Sequence, residues 1–554
     1  MQQRLRPPNY EIRFNWIMFD VKVSYCNSLL SKPSLWLRIV PPLASVTSSA
    51  LPLRRKVAVR FYEPVKLEET LVDACSRLPN FSGRVSAETE TGLERGDERA
   101  FQSFLNKVAH VCDIQKGGDT VTAIGIVAEF GNVRYFIGSN ARKASTHGTL
   151  EGFMRGLLAI PTIASPTIPV TETGQFLQML KYIAAFNKPR ISFYTRALQA
   201  RRIECLRILA ATEDQDLAGY GILQETLGNL QEFVTSAINA DGEADEVDTS
   251  VALIHFLNRV FSQGAAADAI CQLCDRSRHN PESVWLKLRH LIARLRAYHV
   301  SAQTIVACRS RWPELFEEFQ ITIVPSSKPD ANPLLKKKLS LHDALGRLTS
   351  DTAKIEQLRE DARWLERFDV AGIYKAACTK DTFTPLVHAE VLVYDKIRSY
   401  LAENPGIKYW QGWRYIGTSK PTCRLCRYFF NIVDDDVSVR ETHNNLYAKW
   451  RLPDCFDSVA AKAREDMMNE IVKYIRRDAV RTIQDKLPRG ARNDSSSYPT
   501  VVSLLQTQIG EHEGGAQGGI NELDGAFNYM SIRSDAGGNA PELSLKSHQV
   551  VVLT

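Results

Sequence analysis

Thr384-Pro385-Leu386-Val387-His388-Ala389-Glu390 and Thr418-Ser419-Lys420-Pro421-Thr422-Cys423-Arg424-Leu425-Cys426 are the two stretches whose reading decides the fold. Thirty-four residues separate His388 from Cys423. One imidazole and two thiols therefore recur with a carboxylate close behind the imidazole. That set can hold a metal ion with its fourth position open, which is the composition a catalytic zinc requires. A structural zinc would need a fourth protein ligand, and Cys455 and His443 are the nearby residues able to provide one.

Local patterning supports two helix starts facing one ion. Tyr415-Ile416-Gly417 reads as the end of a short strand, Thr418 to Thr422 as a polar turn, and Cys423 onward as a helix running through Tyr428, Phe429 and Phe430. Sulfurs at a helix N-terminus meet unpaired N–H groups and the positive end of the helix dipole, which favour thiolate. After His388, the residues Val391, Leu392, Tyr394, Ile397 and Leu401 give a helix with one apolar side. The other Cys-x-x-Cys, Cys271-Gln272-Leu273-Cys274, lies in a helical run with only His279 nearby and reads as core or partly exposed helix cysteines.

His388-Ala389-Glu390 with Thr422-Cys423-Arg424-Leu425-Cys426 resembles the HxE and PCxxC signature of the cytidine-deaminase-like superfamily. Thr422 stands where the signature has proline, and Pro421 lies one position earlier. Tyr415 to Lys420, with Thr442-His443-Asn444-Asn445-Leu446-Tyr447-Ala448-Lys449-Trp450 and Leu452-Pro453, is similar to the OTT-like deaminases, over Leu386 to Pro453. The resemblance implies a three-layer α-β-α core and zinc held by His388, Cys423 and Cys426. It implies Glu390 as the proton-moving catalytic residue, and loss of the exocyclic amine of cytosine or adenine in a nucleic acid or nucleotide. His443, Tyr447, Trp450 and Lys420 are the residues it offers for substrate contact, with core packing an equal alternative for the two aromatics.

The rest of the core lies far upstream. Phe101, Leu105, Val108, Ala109 and Cys112 fall on one helical face after Asp97, a candidate N-cap. Thr120 to Glu129, a Gly131-Asn132 turn and Val133 to Ile137 then read as a hairpin. Many cytidine-deaminase-like domains begin this way, with an Asn after the second strand touching the nucleoside. Asn140 holds that position here, although it also reads as an ordinary turn residue. The expected organisation is a poorly defined region 1–96, a first part of the core at 97–145, an all-α insertion at 146–382 capping the pocket, the zinc-binding part at 383–487, and a disordered tail at 488–554. An independent N-terminal domain at the hairpin is the competing division.

Composition bounds the function. The chain has 554 residues, 44% apolar and 24% charged, within the globular range and long enough for two or three units. No apolar run is long enough for a membrane span. Eleven scattered cysteines and no secretory signal point to an intracellular compartment, cytoplasmic or nuclear. Arg4, Arg6, Arg13 and Arg38 admit a mitochondrial transit reading, which Glu11, Asp20 and the aromatic run Phe14 to Tyr25 oppose. The net charge of +6 is mild, but Lys408, Arg414, Lys420, Arg424 and Arg427 cluster without an acid and read as a solvated rim or as phosphate contacts. Three functions are consistent with all this: a base deaminase, an inactive zinc-stabilised scaffold, or a deaminase of a small free heterocycle. Protein partners are not legible.

Overall fold

The computed structural model describes residues 49–78, 96–160, 174–211, 219–277, 283–335, 337, 339–433, 435–486 and 488–490. The aromatic run 14–25 and the tail 491–554 lie outside them. The fold is mixed α/β. In chain order its elements are α1 Arg55–Cys75, α2 Gly96–Cys112, β1 Thr122–Ala128, β2 Val133–Ser139, α3 His147–Ala159, α4 Gly174–Phe186, α5 Lys188–Ala211, α6 Tyr220–Asn239, α7 Glu243–Phe261, α8 Ala265–Arg276 and α9 Val284–Arg311. Then follow β3 Phe319–Val324, α10 Leu341–Leu345, α11 Thr352–Asp361, α12 Val370–Thr379, α13 Ala389–Glu403, β4 Lys408–Tyr409, β5 Tyr415–Thr418, α14 Arg424–Val433, β6 Ser438–Val439 and α15 Ser458–Asp485.

The sheet runs in the order β3-β2-β1-β5-β6, with β4 also pairing with β1. β1 and β2 form an antiparallel hairpin, and the left-handed Gly131 (φ 84°) in its turn is a conformation glycine adopts without strain. β5 lies antiparallel beside β1, with Ala123 opposite Thr418 and Ile124 opposite Gly417. Strand register thus joins residues near position 123 to the stretch leading into the cysteines.

Each sheet face carries a helix at close range. A methyl group placed on Gly125 of β1 would overlap Ile397 of α13, and one on Gly417 of β5 would overlap Leu105 of α2. On the first side, α1 and α10–α15 share a core with Ala123, Val127 and Phe136. On the other, α2–α9 share one with Ile124, Ile126, Tyr135 and Ile137.

Four expectations need correction. The stretch 146–382 is not all-α: Phe319–Val324 is a strand, parallel to β2, whose β-branched Ile321, Thr322, Ile323 and Val324 suit a half-buried edge. The helical bundle α3–α9 does not share the core that holds the cysteines. It packs on the α2 side, because α2 is apolar on two sides: Leu105 meets β5, while Phe104, about a quarter-turn round the helix, meets Phe316 after α9, ring centroids 5.5 Å apart. Asp97 sits inside the first turn of α2 and pairs with Arg311 instead of capping. Within 1–96, α1 is a well-packed helix despite its internal Pro64, burying Phe61, Tyr62, Val65, Leu67 and Leu71. Tyr62 donates its hydroxyl to the Trp450 carbonyl at 2.9 Å.

Candidate active site

His388 precedes the first turn of α13 in extended backbone (φ −71°, ψ 152°). Its position is set by Asn140, whose Oδ1 accepts the Ala389 N–H at 2.8 Å while its Nδ2 donates to the Gly118 carbonyl at 2.8 Å. Cys423 lies just before α14, and Cys426 lies in its first turn. His388 Nδ1 is 3.4 Å from the Cys423 sulfur and 3.6 Å from that of Cys426. All three ligand atoms lie within 4.8 Å of one another, and all three residues are buried.

Those spacings fit zinc. Bonds of about 2.0–2.1 Å to nitrogen and about 2.3 Å to sulfur in a tetrahedral arrangement place such atoms about 3.5 Å apart. Among the described residues, no fourth His, Cys, Asp or Glu joins the group. Cys455 directs its thiol to the Pro453 carbonyl, and His443 Nδ1 accepts the Asn445 N–H at 3.0 Å. A buried nest of one imidazole and two thiols suits an ion that takes nitrogen and sulfur and leaves one position open.

The protonation states agree. Burial disfavours charge on Cys423, but the Cys426 hydrogen bond and the neighbouring His388 overcome it and hold its thiol well below the ordinary range. Cys426 is pushed well up, by burial and by the charge on Cys423. Burial works against charge on His388, but Cys423, with Glu390 and the Lys449 backbone, outweighs it and raises the imidazole. Glu390, in the first turn of α13 and only 4% exposed, is pushed up to about 7, by burial and then by Cys423, with His388 opposing. Cys426 opposes the shift weakly as well. A carboxyl that titrates near neutrality can both take and give a proton.

Comparison with known families bears on this segment. Residues 387–454 match the family model described as OTT_1508-like deaminase. This stretch is therefore similar to deaminases of a cytidine-deaminase-like family. No curated protein and no solved structure matches the chain.

The matched segment is braced by residues around the three-ligand group. Trp450 is fully buried and donates its indole N–H to the Cys426 sulfur at 3.3 Å, which sets it behind the ligands and away from any solvent-reached substrate surface. Of the two expectations for Trp450, substrate contact and core packing, its surroundings are those of core packing: the polar edge meets sulfur and the rings meet Phe61 and Phe429. Thr422, at the signature's proline position, uses what a proline lacks. Its N–H donates to the Glu441 carbonyl at 3.0 Å and its hydroxyl to the Arg440 carbonyl at 2.6 Å, tying the cysteine turn to the loop after β6.

Arg424, which the charge pattern places in a basic rim, is completely buried. Its guanidinium donates to Glu68 of α1 at 2.6 Å, to the Asn444 carbonyl at 2.9 Å and to the Arg489 carbonyl at 2.7 Å, with Asp478 of α15 at 3.4 Å. Arg424 therefore fastens the Cys-x-x-Cys turn to two helices. Nothing local in the sequence distinguishes it from Arg427, since its two carboxylate partners stand on α1, 356 residues away, and on the closing helix. Asp113 was likewise unread: it accepts from Thr120 at 2.7 Å and Ser419 at 3.3 Å and pairs with buried Arg190 at 3.1 Å, joining the loop before the cysteines to the bundle.

Of the remaining residues named from sequence, Lys420 donates to the Gly117 carbonyl at 2.9 Å, and Arg414 pairs with Asp435 at 3.5 Å. His443 is buried with its ring edge-on to Tyr447, centroids 5.6 Å apart, and Tyr447 is partly exposed. Cys274 is buried in α8 and Cys271 half-buried, remote in the fold from the three-ligand group.

Proposed function

We propose that this protein is a zinc-dependent hydrolytic deaminase that replaces the exocyclic amine of a base, cytosine or adenine, in a nucleotide or nucleic acid. The observation that carries the reading is Glu390: a buried carboxyl, poised near neutrality, beside three ligand atoms with no fourth protein donor among the described residues. A purely structural metal site has no use for it. The three-layer core that goes with the reading has α2 on one sheet face and α13 with α14 on the other. Its two chain segments lie at 97–145 and 383–487, separated by the helical bundle.

When bound, zinc supplies a Lewis acid that makes water nucleophilic at neutral pH. His388, Cys423 and Cys426 would hold it, and Trp450 would steady the charge on the Cys426 sulfur. Glu390 takes a proton from the attacking water as its oxygen adds to the carbon bearing the amine. The same carboxyl returns that proton to the adjacent ring nitrogen, then takes the second proton from the newly added hydroxyl and hands it to the amine, so that the carbon–nitrogen bond breaks, a carbonyl forms and ammonia leaves. Asn140 positions the start of α13, and therefore His388 and Glu390, through Ala389.

Tyr447 and His443 are the residues best disposed to meet the base. With Arg424 removed from the rim, and Lys420 and Arg414 engaged within the fold, the argument for a long phosphate-contacting surface loses part of its basis. That observation favours a second reading for substrate size, a nucleotide or free heterocycle recognised through its base. The test is a panel of zinc-loaded reactions on single-stranded DNA, RNA, nucleotides, nucleosides and free bases, followed by mass spectrometry of the base. Conversion confined to the small substrates supports the second reading, and conversion of oligonucleotides supports the first.

A further inference from the structure

A second site lies outside the deaminase segment. A cleft of about 890 Å³ opens between α1, the segment around α10 and α15, and none of its lining residues falls within 387–454. Six cationic side chains line it: Arg55, Lys56, Arg60, Lys337, Arg347 and Arg476. The single carboxylate is Glu63, which is buried and already shared by Arg347 and by Lys337, the latter at 3.2 Å. Among the described residues, Arg55, Lys56, Arg60 and Arg476 form no ion pair.

Like charges gathered in a recess repel one another, and the low-dielectric walls make the repulsion stronger than it would be in water. Arg476 illustrates it. Its Nε is buried without a hydrogen-bond partner, and burial together with neighbouring Arg60 holds its guanidinium below the ordinary range. An anion with several oxygens would relieve this arrangement, and planar guanidinium forks match phosphate oxygens two at a time. The rest of the wall is Val59, Pro64, Ala344 and Leu348, with Thr349 and Ser350 at its edge. Apolar and cationic side chains lining one cleft of this volume suit a small molecule, since such pockets span about 300–1,000 Å³.

We infer that this cleft binds a small ligand carrying two or more phosphates on an apolar ring system, of the nucleoside di- or triphosphate class. The cations surround one recess instead of following a line across the surface, which favours such a ligand over a nucleic-acid strand. The inference does not depend on deamination, because no residue of the cleft belongs to the metal site.

Calorimetric titration of the full-length protein with ATP, ADP, AMP and a short single-stranded oligonucleotide tests it, alongside the double variant Arg60→Gln/Arg476→Gln. Affinity should fall from ATP to ADP to AMP, and the double variant should weaken ATP by about twentyfold or more. The ligand-free melting temperature of the double variant should be equal or higher, because it removes repulsion, so weakened binding could not be put down to misfolding. Lys473→Gln, an exposed change on α15, should leave ATP binding unchanged. Absence of ATP binding at about 1 mM, equal affinity in the double variant, or tighter binding of the oligonucleotide than of ATP would each overturn the inference.

Discussion

The indole Nε1–H of Trp450 points at the sulfur of Cys426 from 3.3 Å, and the whole side chain is sealed from solvent. A hydrogen bond to a ligating sulfur orients it and tunes its charge, and removing such support typically lowers metal affinity about 10–100-fold. Trp450→Phe keeps the contact with Phe61 and loses the donor. Its zinc affinity, measured by competition with a chromogenic chelator, should fall within that range. Unchanged affinity would mean that the indole only fills space.

Arg424 makes a stability prediction. Replacing it by Leu leaves Glu68 and Asp478 buried around an apolar side chain, and orphaning a buried ion pair costs about 3–5 kcal/mol. Urea unfolding of Arg424→Leu should show a loss of that order, and adding Glu68→Gln should recover part of it. A loss below about 1 kcal/mol would indicate that the network is effectively solvated.

Asn140 separates positioning from metal binding. Asn140→Ala removes the acceptor for the Ala389 N–H, so turnover should drop by about tenfold while zinc stoichiometry stays at the wild-type value. Asn140→Asp keeps that acceptor and should retain more activity than the alanine variant. Equal turnover in all three proteins would remove Asn140 from the site.

The helical bundle carries a pH response of its own. His299 of α9 is pushed down to about 4, by burial first and then by His255 and Arg296. Its folded value lies below the ordinary 6.5. The unfolded chain therefore takes up the proton first as pH falls. The stability from keeping His299 neutral is complete above about pH 6.5 and is lost progressively toward pH 4, by roughly 3 kcal/mol at most. Denaturant curves of wild type and His299→Phe should converge or cross over this window, whereas parallel curves would show that His299 titrates normally.

The metal nest could be read from the sequence because its chemistry is local: a helix start, a turn and a second helix start each carry their ligands within a few residues. The hairpin 122–139 was equally legible, from β-branched runs around Gly131-Asn132. Tertiary context hid the rest. Phe319–Val324 reads as the end of a helical region until β2 is there to pair with it, and α1 carries a proline that argues against a helix. Arg424 and Trp450 looked like surface and substrate residues, because a charge or an indole announces its polarity but not the buried Glu68 or Cys426 that satisfies it. The sequence also did not foretell that the inserted helices share the core on the α2 face of the sheet, which the second apolar side of α2 makes possible.

The central claim is that Glu390 moves protons in a hydrolytic deamination. Its most direct test is ammonia release by the zinc-loaded protein on the substrate found in the panel, compared with Glu390→Gln carrying the same amount of zinc. The account predicts stoichiometric ammonia and converted base from the wild type and a rate lower by about 10²–10⁴-fold in the variant. Equal rates in the two proteins, or no ammonia from a wild type that binds one zinc per chain, would contradict it.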